Sequence, residues 1–388
     1  MNPVIQNLQI NSFRGLKGLN LSDLGWVNIL VGKNNSGKTT ILEAISIACN
    51  PLDPFQWIGT SERRMNIGRT ANIGRTVTAP RPSLESIKWL FPQENSSSED
   101  RKDQRKIEIN TTGDTDISVE AIITEVYGIG SNKNDNSNDE EDLSPESDYA
   151  KSGIYLDVFS TAPFNGQINI FEDRRDDSKT RTIENFQFWE DERIIQPHRS
   201  RDRVLFNHAI VYPSYSSSDV VLAFQLTQVT KEGEKSNLLE VLRLFDPEIL
   251  DIHILSTSSN RLSLYIEHQK LGFAPFYTFG DGLKKTLLIA LALPLAKNGI
   301  LLIDEIETSI HFSALSQVFT WLIQACKINK TQLFVTTHSL EAVDAMLDAD
   351  SEKDEVVAFR LNDDNKPPQR FAGELLQRLR SNRGLDVR

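Results

Sequence analysis

The distribution of apolar and polar positions along this chain predicts alternating strands and helices. Val27 to Val31 is a short, wholly apolar run, typical of a strand inside a central sheet. A Gly/Asn/Ser loop follows it, and apolar residues at helical spacing predict a helix from about Thr39 to Cys49. The last third repeats the pattern, with strands predicted at 300–303, 332–336 and 356–361 and helices at 282–296, 313–327 and 339–347.

The middle of the chain has a different pattern. Residues 107–126 alternate loosely and predict a β-hairpin, and residues 131–148 form an acidic, low-complexity stretch expected to be disordered. We therefore expect one α/β lobe built from residues 1–95 and 205–388, interrupted by a β-rich insertion at 96–204. The second part of the lobe includes an amphipathic helical arm at 220–245.

The amino-acid composition excludes only a few classes of protein. The 388 residues carry a net charge of −12, which disfavours a nucleic-acid coat protein but leaves room for a local basic groove. No apolar run approaches the roughly 20 residues of a membrane helix. Cys49 and Cys326 make neither a disulfide framework nor a metal site, so we expect a cytoplasmic protein away from membranes.

The loop after the first apolar strand matches the pattern G-x-x-x-x-G-K-[ST]. It consists of Gly32, Lys33, Asn34, Asn35, Ser36, Gly37, Lys38 and Thr39, with Thr40 next in the helix. Glycines let backbone N–H groups wrap a phosphate, and the following helix adds its positive end. The pattern predicts ATP binding, with Lys38 reaching the β- and γ-phosphates and the Thr39 hydroxyl completing a Mg²⁺ shell.

A second signal lies near residue 300. The apolar run at 300–303 ends in Asp304 and Glu305, and ligands of open α/β sheets bind at the carboxyl ends of strands. We expect Asp304 to hold Mg²⁺ and Glu305 to polarise the attacking water.

Together these segments resemble an ABC-type ATPase head, a mixed sheet with flanking helices. Within that group the chain is similar to the heads of SMC and double-strand-break repair ATPases. It resembles most the overcoming-lysogenization-defect (OLD) nucleases and their short AAA-type relatives in bacterial anti-phage systems. Four segments carry the likeness: residues 10–15, 32–39 and 279–285, and Asp304-Glu305 with Ile310-His311.

The resemblance implies further roles. Gly280, Asp281 and Gly282 would form the signature segment, which in such heads serves the partner subunit's nucleotide and implies a dimer, or a higher homo-oligomer, with ATP sandwiched between heads. The usual serine is replaced by Gly280, which weakens that inference. His338 would be a switch histidine near the γ-phosphate.

Arg14 and His311 are more ambiguous. Arg14 resembles an arginine that approaches nucleotide, with a surface salt bridge as the alternative. His311 lies in the expected subunit-facing loop. The four histidines 198, 208, 253 and 268 have no partners at metal-ligand spacing in the sequence, and the glutamine that many ABC heads use as a metal ligand is not identifiable, with Gln93 a weak candidate.

We do not predict a nuclease activity from two other features, an Asp-x-Asp segment and a cluster of arginines. Asp348-Ala349-Asp350 resembles the metal pair of a TOPRIM domain, but only some fifty residues follow His338, too few for that domain. The arginines 63, 64, 69 and 75 suit DNA backbone, an acidic partner or a solvated loop about equally.

We expect an ATP-hydrolysing subunit whose head dimer acts as a nucleotide-gated sensor or scaffold for a separate effector chain, a nuclease or toxin, in anti-phage defence. The main alternative is an SMC- or repair-like ATPase acting directly on DNA, although no sustained heptad repeat supports it. A non-catalytic nucleotide-gated module and a transporter subunit fit the motifs less well.

Overall fold

The structure is a computed structural model that describes residues 2–63, 83–93, 105–130, 149–161, 181–190, 204–213, 219–256, 262–350, 355–362 and 366–383. The predicted acidic stretch at 131–148 and three of the four clustered arginines, Arg64, Arg69 and Arg75, lie outside these residues. Within the described residues, no helix is long and apolar enough to cross a membrane.

The described part of the chain contains fifteen strands and nine α-helices. The strands are β1 (Ile5–Phe13), β2 (Leu16–Leu21), β3 (Val27–Val31), β4 (Arg105–Gly113), β5 (Ile117–Gly130), β6 (Tyr149–Thr161), β7 (Arg181–Trp189), β8 (His208–Val211), β9 (Ile249–Ser256), β10 (Leu262–His268), β11 (Gly272–Pro275), β12 (Ile300–Ile303), β13 (Gln332–Thr336), β14 (Val356–Arg360) and β15 (Gln369–Ala372). The helices are α1 (Lys38–Cys49), α2 (Pro54–Glu62), α3 (Leu84–Lys88), α4 (Asp219–Lys231), α5 (Lys235–Arg243), α6 (Asp281–Ala292), α7 (Phe312–Asn329), α8 (Leu340–Ala349) and α9 (Gly373–Arg383).

The central sheet has the strand order β15-β14-β3-β13-β12-β8. Its strands are parallel except for β15, which pairs antiparallel with β14. Every residue of β3, β12 and β13 is buried, as expected for parallel strands covered on both faces. The α/β class with a mixed central sheet, predicted from the sequence, is confirmed.

Alternate residues of the central strands face two different cores. Leu30, Leu302 and Phe334 pack on the side of α1. Ile29, Leu301 and Val335 and their neighbours pack on the other side, against α7 and α8. Helix α1 therefore lies between the central sheet and the antiparallel sheet that contributes to the same core.

That second sheet has the order β2-β1-β4-β5-β6-β7 and is antiparallel throughout. The strands found within residues 96–204 therefore continue a sheet that begins at the N-terminus, because β4 pairs directly with β1. The division of the chain into two lobe parts and an insertion stays a prediction.

A small third sheet, in the order β11-β10-β9, shares a core with α4, α5 and α6. The predicted helical arm is two helices, separated at Gly233, whose φ of 78° suits glycine. The helix predicted for 282–296 is shorter, since α6 ends at Ala292 and Pro294 begins a 3₁₀ turn.

Candidate functional site

The loop between β3 and α1 has the backbone shape that its glycines allow. Gly32 and Gly37 have φ values of 148° and 92°, where other residues are strained. A Cβ on Gly37 would lie 2.6 Å from Leu16 Cδ2, and one on Gly32 would lie 2.9 Å from the carbonyl oxygen of Leu361. Conformation therefore favours glycine at both positions, and the close backbone carbonyl of Leu361 adds a second reason at Gly32.

Lys38, the first residue of α1, is only 6% exposed. Its Nζ donates hydrogen bonds to the carbonyl oxygens of Gly32 and Lys33, both at 2.7 Å. The ammonium group therefore lies back across the loop.

The two carboxylates follow β12, one strand away from β13 and two from β3. The Thr39 hydroxyl lies 3.1 and 3.0 Å from the two carboxylate oxygens of Asp304. Asp304 is 5% exposed. Residues 265 positions apart in the sequence thus meet at the carboxyl ends of parallel strands, and their roles as Mg²⁺ ligands stay a prediction.

Thr336, the last residue of β13, was missed by the sequence reasoning. Its hydroxyl donates to Asp304 Oδ1 at 2.6 Å and accepts the backbone N–H of Glu305 at 2.7 Å. One buried hydroxyl thus fixes both predicted carboxylate residues. Its position at the end of a strand predicted to lie in the same sheet was the available signal.

The residues after Asp304 form a tight, hydrogen-bonded turn. Glu305 has a φ of 45°, and its Oε2 accepts a hydrogen bond from the Thr308 hydroxyl at 3.1 Å. Glu307 accepts the backbone N–H of His338 at 2.8 Å. This contact holds the chain at His338 beside the carboxylate turn.

These groups line one cavity of about 850 Å³. Its wall comprises residues 14–19, 34–40, 304–305, 336, 338, 361–362 and 366–368. The cavity therefore brings together the phosphate loop, both carboxylates and His338. The β1–β2 turn and the segment between β14 and β15 close another part of it.

The segment Gly280, Asp281 and Gly282 is not part of that wall. Gly280 caps α6, and the Asp281 side chain is 76% exposed and 3.0 Å from Lys284. A Cβ on Gly282 would lie 2.8 Å from the carbonyl oxygen of Ser309. Gly282 is thus needed where α6 meets the loop after β12.

Arg14 lines the cavity, but its guanidinium group is engaged elsewhere. Nε lies 2.8 Å from the carboxylate of Glu43, a fully buried residue of α1. Nη2 donates to the carbonyl oxygen of Thr60 at 3.0 Å. The expected alternative, a surface salt bridge, is instead a buried one, and the nucleotide contact of Arg14 stays a prediction.

His311 caps a helix. Its Nδ1 lies 2.9 Å from the Ser313 hydroxyl and accepts the Ser313 N–H at the start of α7.

Two other residues considered in the sequence make contacts within the fold. Gln93 donates from its amide to the carbonyl oxygens of Lys88 and Phe91, and it does not line the cavity. Asp350 is also structural, accepting the N–H groups of Glu355 and Val356.

Two histidines do have acidic partners, contrary to the sequence analysis. His268 groups with Asp246 and Glu248, and His253 groups with Asp251 and Glu267. The partners come from a neighbouring strand or turn, so sequence spacing hides them.

Neither cluster has the form of a prepared metal site. The Nδ1 of His268 accepts the N–H groups of Lys270 and Leu271, so its Nε2 carries a hydrogen and donates to Asp246 at 3.0 Å. In the other cluster, Asp251 already pairs with Lys235 at 2.7 Å.

Lys285 is a further buried polar residue that the sequence did not single out. It is 3% exposed, and its Nζ donates to the carbonyl oxygens of Tyr212 at 2.9 Å and Asp304 at 3.2 Å. Burial lowers the pKa of this lysine to about 8, while the nearby carboxylates of Asp304, Glu305 and Glu307 act in the opposite direction.

A phosphate loop after one parallel strand and paired carboxylates after another define a P-loop nucleoside triphosphatase. A family model described as "AAA domain, putative AbiEii toxin, Type IV TA system" matches residues 27–344, and the chain belongs to this family. The chain is accordingly an ATP-hydrolysing enzyme.

Two curated relatives are similar over different lengths. An "ATP/GTP phosphatase" of Helicobacter pylori is 24% identical over 393 residues, covering 96% of this chain and 97% of the relative. An uncharacterized protein of Methanocaldococcus jannaschii is 35% identical over 112 residues, covering 28% of this chain and 98% of that protein.

Among solved structures, the chain is similar to Smc heads. An Smc head bound to the C-terminal winged-helix domain of ScpA has a TM-score of 0.46 and 13% identity, covering 96% of this chain and 99% of that one. A Pyrococcus furiosus Smc head with an extended coiled coil, bound to the C-terminal domain of ScpA, has a TM-score of 0.45 and 12% identity, covering 98% and 99%. These scores are low, so the fold is assigned from the strand order described above.

Proposed function

We propose that the cavity hydrolyses ATP with Mg²⁺, using Lys38, Thr39, Asp304 and Glu305, with His338 beside the γ-phosphate. The observation that carries this proposal is the direct contact between the Thr39 hydroxyl and the Asp304 carboxylate. It joins the phosphate loop to the strand that delivers Glu305. The loop residues 32–40 would bind the phosphates through backbone N–H groups.

The oxygen groups at this position fit Mg²⁺. A hydroxyl and a carboxylate are the hard ligands that this ion prefers, and it keeps several waters besides. Thr39 and Asp304 would therefore hold the ion, which when bound neutralises charge on the β- and γ-phosphate oxygens.

Glu305 would act on the attacking water. Its carboxylate can accept a proton as the water oxygen bonds to the γ-phosphorus and the bond to the β–γ bridging oxygen breaks. Thr336 holds the Glu305 backbone and Thr308 holds its carboxylate, so the side chain is positioned from two sides. Positioning and electrostatics supply most of the catalysis in phosphoryl transfer.

The signature segment supports a dimer. The start of α6 offers backbone N–H groups and a positive helix end, and it lies outside the wall of its own cavity. Gly280, Asp281 and Gly282 would therefore contact the ATP of a second subunit. Since Gly280 replaces the usual serine, backbone N–H groups alone would make this contact.

For the biological role we favour a cytoplasmic sensor or scaffold ATPase of the short OLD-like type that controls a separate effector chain in anti-phage defence. The family description names a toxin and a type IV toxin–antitoxin system, which supports action together with a second component. The alternative is direct action on DNA. Of the arginines 63, 64, 69 and 75, only Arg63 lies in the described residues, and its guanidinium stacks on Tyr212 at 3.5 Å.

Enzyme assays test the catalytic part of the proposal. Phosphate release from ATP would be measured with Mg²⁺, with EDTA and with the Lys38→Ala variant. We expect turnover only for the wild-type protein with Mg²⁺. Equal turnover in EDTA would contradict the roles given to Thr39 and Asp304.

Native purification tests the biological part. The tagged protein would be isolated from its own host, and its native mass and co-purifying chains would be determined. A stoichiometric nuclease or toxin-like chain supports the effector hypothesis. A homo-oligomer that retains DNA and no second protein would instead support direct action on DNA.

A further inference from the structure

Lys285 connects the helix that begins at the signature segment to the ends of two central strands. It is the fifth residue of α6, three residues after Gly282. Its Nζ contacts the carbonyl oxygens of the residues that directly follow β8 and β12, Tyr212 and Asp304. A single side chain therefore links three elements at the edge of the cavity.

The peptide group between Asp304 and Glu305 is held from both sides. Its carbonyl oxygen accepts from Lys285 at 3.2 Å, and its N–H donates to the Thr336 hydroxyl at 2.7 Å. Glu305 is in the left-handed region, with a φ of 45°, which a residue with a side chain adopts only when its surroundings hold it there. The orientation of this peptide plane sets the direction of the Glu305 side chain.

The start of α6 touches the same turn a second time. Gly282 approaches the carbonyl oxygen of Ser309 so closely that a Cβ would lie 2.8 Å from it. Helix α6 thus contacts the chain just before Glu305 through Lys285 and four residues after Glu305 through Gly282. A small movement of the helix start must move the turn that carries Glu305, because such packed contacts leave little free space.

A buried ammonium group at this position is costly. Lys285 is only 3% exposed, and burial of a charged group disfavours its charged form. An apolar side chain of similar length would fill the same space without that cost. The hydrogen bonds to the two carbonyl oxygens are the evident reason for a lysine here.

We propose that Lys285 is a positioning residue that couples the start of α6 to the Asp304–Glu305 peptide, so that a nucleotide held by a second subunit at Gly280–Gly282 sets the orientation of Glu305. The inference rests on the proposed function, the ATP-sandwiched dimer. Each subunit then hydrolyses its own ATP efficiently only when its α6 is engaged by the ATP of the partner.

The test compares Lys285→Met and Lys285→Arg with the wild-type protein, with Lys297→Met as the control at an exposed lysine. For each protein we would measure the dissociation constant for ATP, kcat, KM and the Hill coefficient of hydrolysis, and Tm. We expect Lys285→Met to bind ATP about as tightly as the wild type but to lose about tenfold or more in kcat. Its Hill coefficient should fall from above 1 to about 1.

Lys285→Arg separates positioning from simple packing. Arginine also donates to carbonyl oxygens, so it should restore part of kcat and of the cooperativity. It also keeps the proposal testable if the methionine variant fails to fold, because an arginine variant with normal Tm and non-cooperative hydrolysis would overturn the proposal. A Lys285→Met protein with wild-type kcat and Hill coefficient would overturn it too.

The outcome for the wild type distinguishes this inference from the proposed function. Absence of ATP hydrolysis by the wild-type protein would refute the proposed function itself. Hydrolysis with a Hill coefficient of about 1 in the wild type would leave the ATPase intact and refute the coupling through Lys285.

Discussion

The phosphate cavity and the β9–β10 hairpin carry the same kinds of side chain, histidine, aspartate and glutamate. In the hairpin, His268 and His253 each lie within hydrogen-bonding distance of a carboxylate, at 3.0 and 2.9 Å. In the cavity, the Asp304 carboxylate lies 3.0 Å from the Thr39 hydroxyl and 2.6 Å from the Thr336 hydroxyl. Both regions therefore contain carboxylates in close hydrogen bonds, and hydrogen-bond length alone does not distinguish a reaction site from a structural cluster.

The regions differ in what their polar groups face. In the hairpin, Lys235 pairs with Asp251, and Lys270 pairs with Glu248. Both ring nitrogens of His268 are engaged by the protein itself. In the cavity, the loop, the carboxylates and His338 all face one space of about 850 Å³. A reaction site needs several groups directed at one shared space. The side chains of the hairpin are directed at one another, so we assign them a structural role.

The sharpest test makes the same chemical change in both regions. Glu305→Gln removes the group that would accept a proton from water, so we expect kcat to fall at least about 100-fold, roughly 3 kcal/mol in the barrier. ATP should still bind and should trap a closed dimer, seen as a doubled mass in sedimentation. Glu267→Gln is the matched control in the hairpin and should keep wild-type kcat.

Rapid turnover by Glu305→Gln would refute the role given to Glu305. A comparable loss of kcat in Glu267→Gln would contradict the structural role given to the hairpin, because it would show that the hairpin takes part in catalysis. Phosphate release under saturating ATP distinguishes these outcomes.

The next prediction concerns Thr336, which lines the cavity and holds both Asp304 and the backbone N–H of Glu305. Thr336→Val keeps the shape but removes the hydroxyl that holds Asp304 and the Glu305 N–H. We expect about a tenfold loss of kcat with a small change in KM. Thr336→Ser retains a hydroxyl and should recover most of the activity. Equal kcat for valine and wild type would show that Asp304 and Glu305 are positioned by other contacts.

The difference between Thr336 and Asp304 also explains how far the sequence could predict this site. Asp304, Glu305 and the loop at 32–39 are marked by motifs, since the chemistry needs those residue types at fixed spacing after apolar strands. Thr336 and Lys285 act through geometry alone. Nothing in the spacing states that Lys285 reaches the carbonyl oxygen of Asp304, nineteen positions away.

The fold shows the same limit. The wholly apolar runs at 27–31 and 300–303 predicted buried parallel strands correctly. In β1, irregular pairing with β4 near Ile5 and Ile10 lets Ile5, Leu8, Ile10 and Phe13 all be buried, which strict alternation does not predict. The pairing of β4 with β1 was also beyond the sequence, because no local pattern specifies which distant strand is the neighbour.

A smaller effect is expected when the hairpin cluster is broken. His268→Ala removes a buried ring that accepts two backbone N–H groups and donates to Asp246. We expect a loss of about 1–3 kcal/mol in the free energy of unfolding, with kcat unchanged. Urea unfolding and ATPase assays on the same preparations measure both. If Zn²⁺ raised the Tm of the wild type but not of His268→Ala, the cluster would have to be reassigned as a metal site.

The smallest effect concerns His208, a histidine beside a cation in place of a carboxylate. Burial lowers the pKa of His208 from 6.5 to about 4, and the Arg63 guanidinium acts in the same direction. Between these values the unfolded chain binds a proton that the folded chain does not, so the free energy of unfolding falls as pH is lowered from 6.5 to 4. The residue is partly exposed, so we expect His208 to lower the free energy of unfolding by only about 1–2 kcal/mol at pH 4. At pH 8 the ring is neutral in both states, and we expect no such loss.

His208→Gln cannot take up this proton, so its stability should decline less than that of the wild type over the same pH range. Urea unfolding of both proteins at pH 8, 6 and 4 isolates the difference, because every other titrating group is shared. Parallel curves would mean that the His208 ring takes up its proton as easily in the folded protein as in the unfolded chain. The contrast with His268 would then rest on hydrogen bonds alone, and the cation beside His208 would have no measurable role in setting its charge.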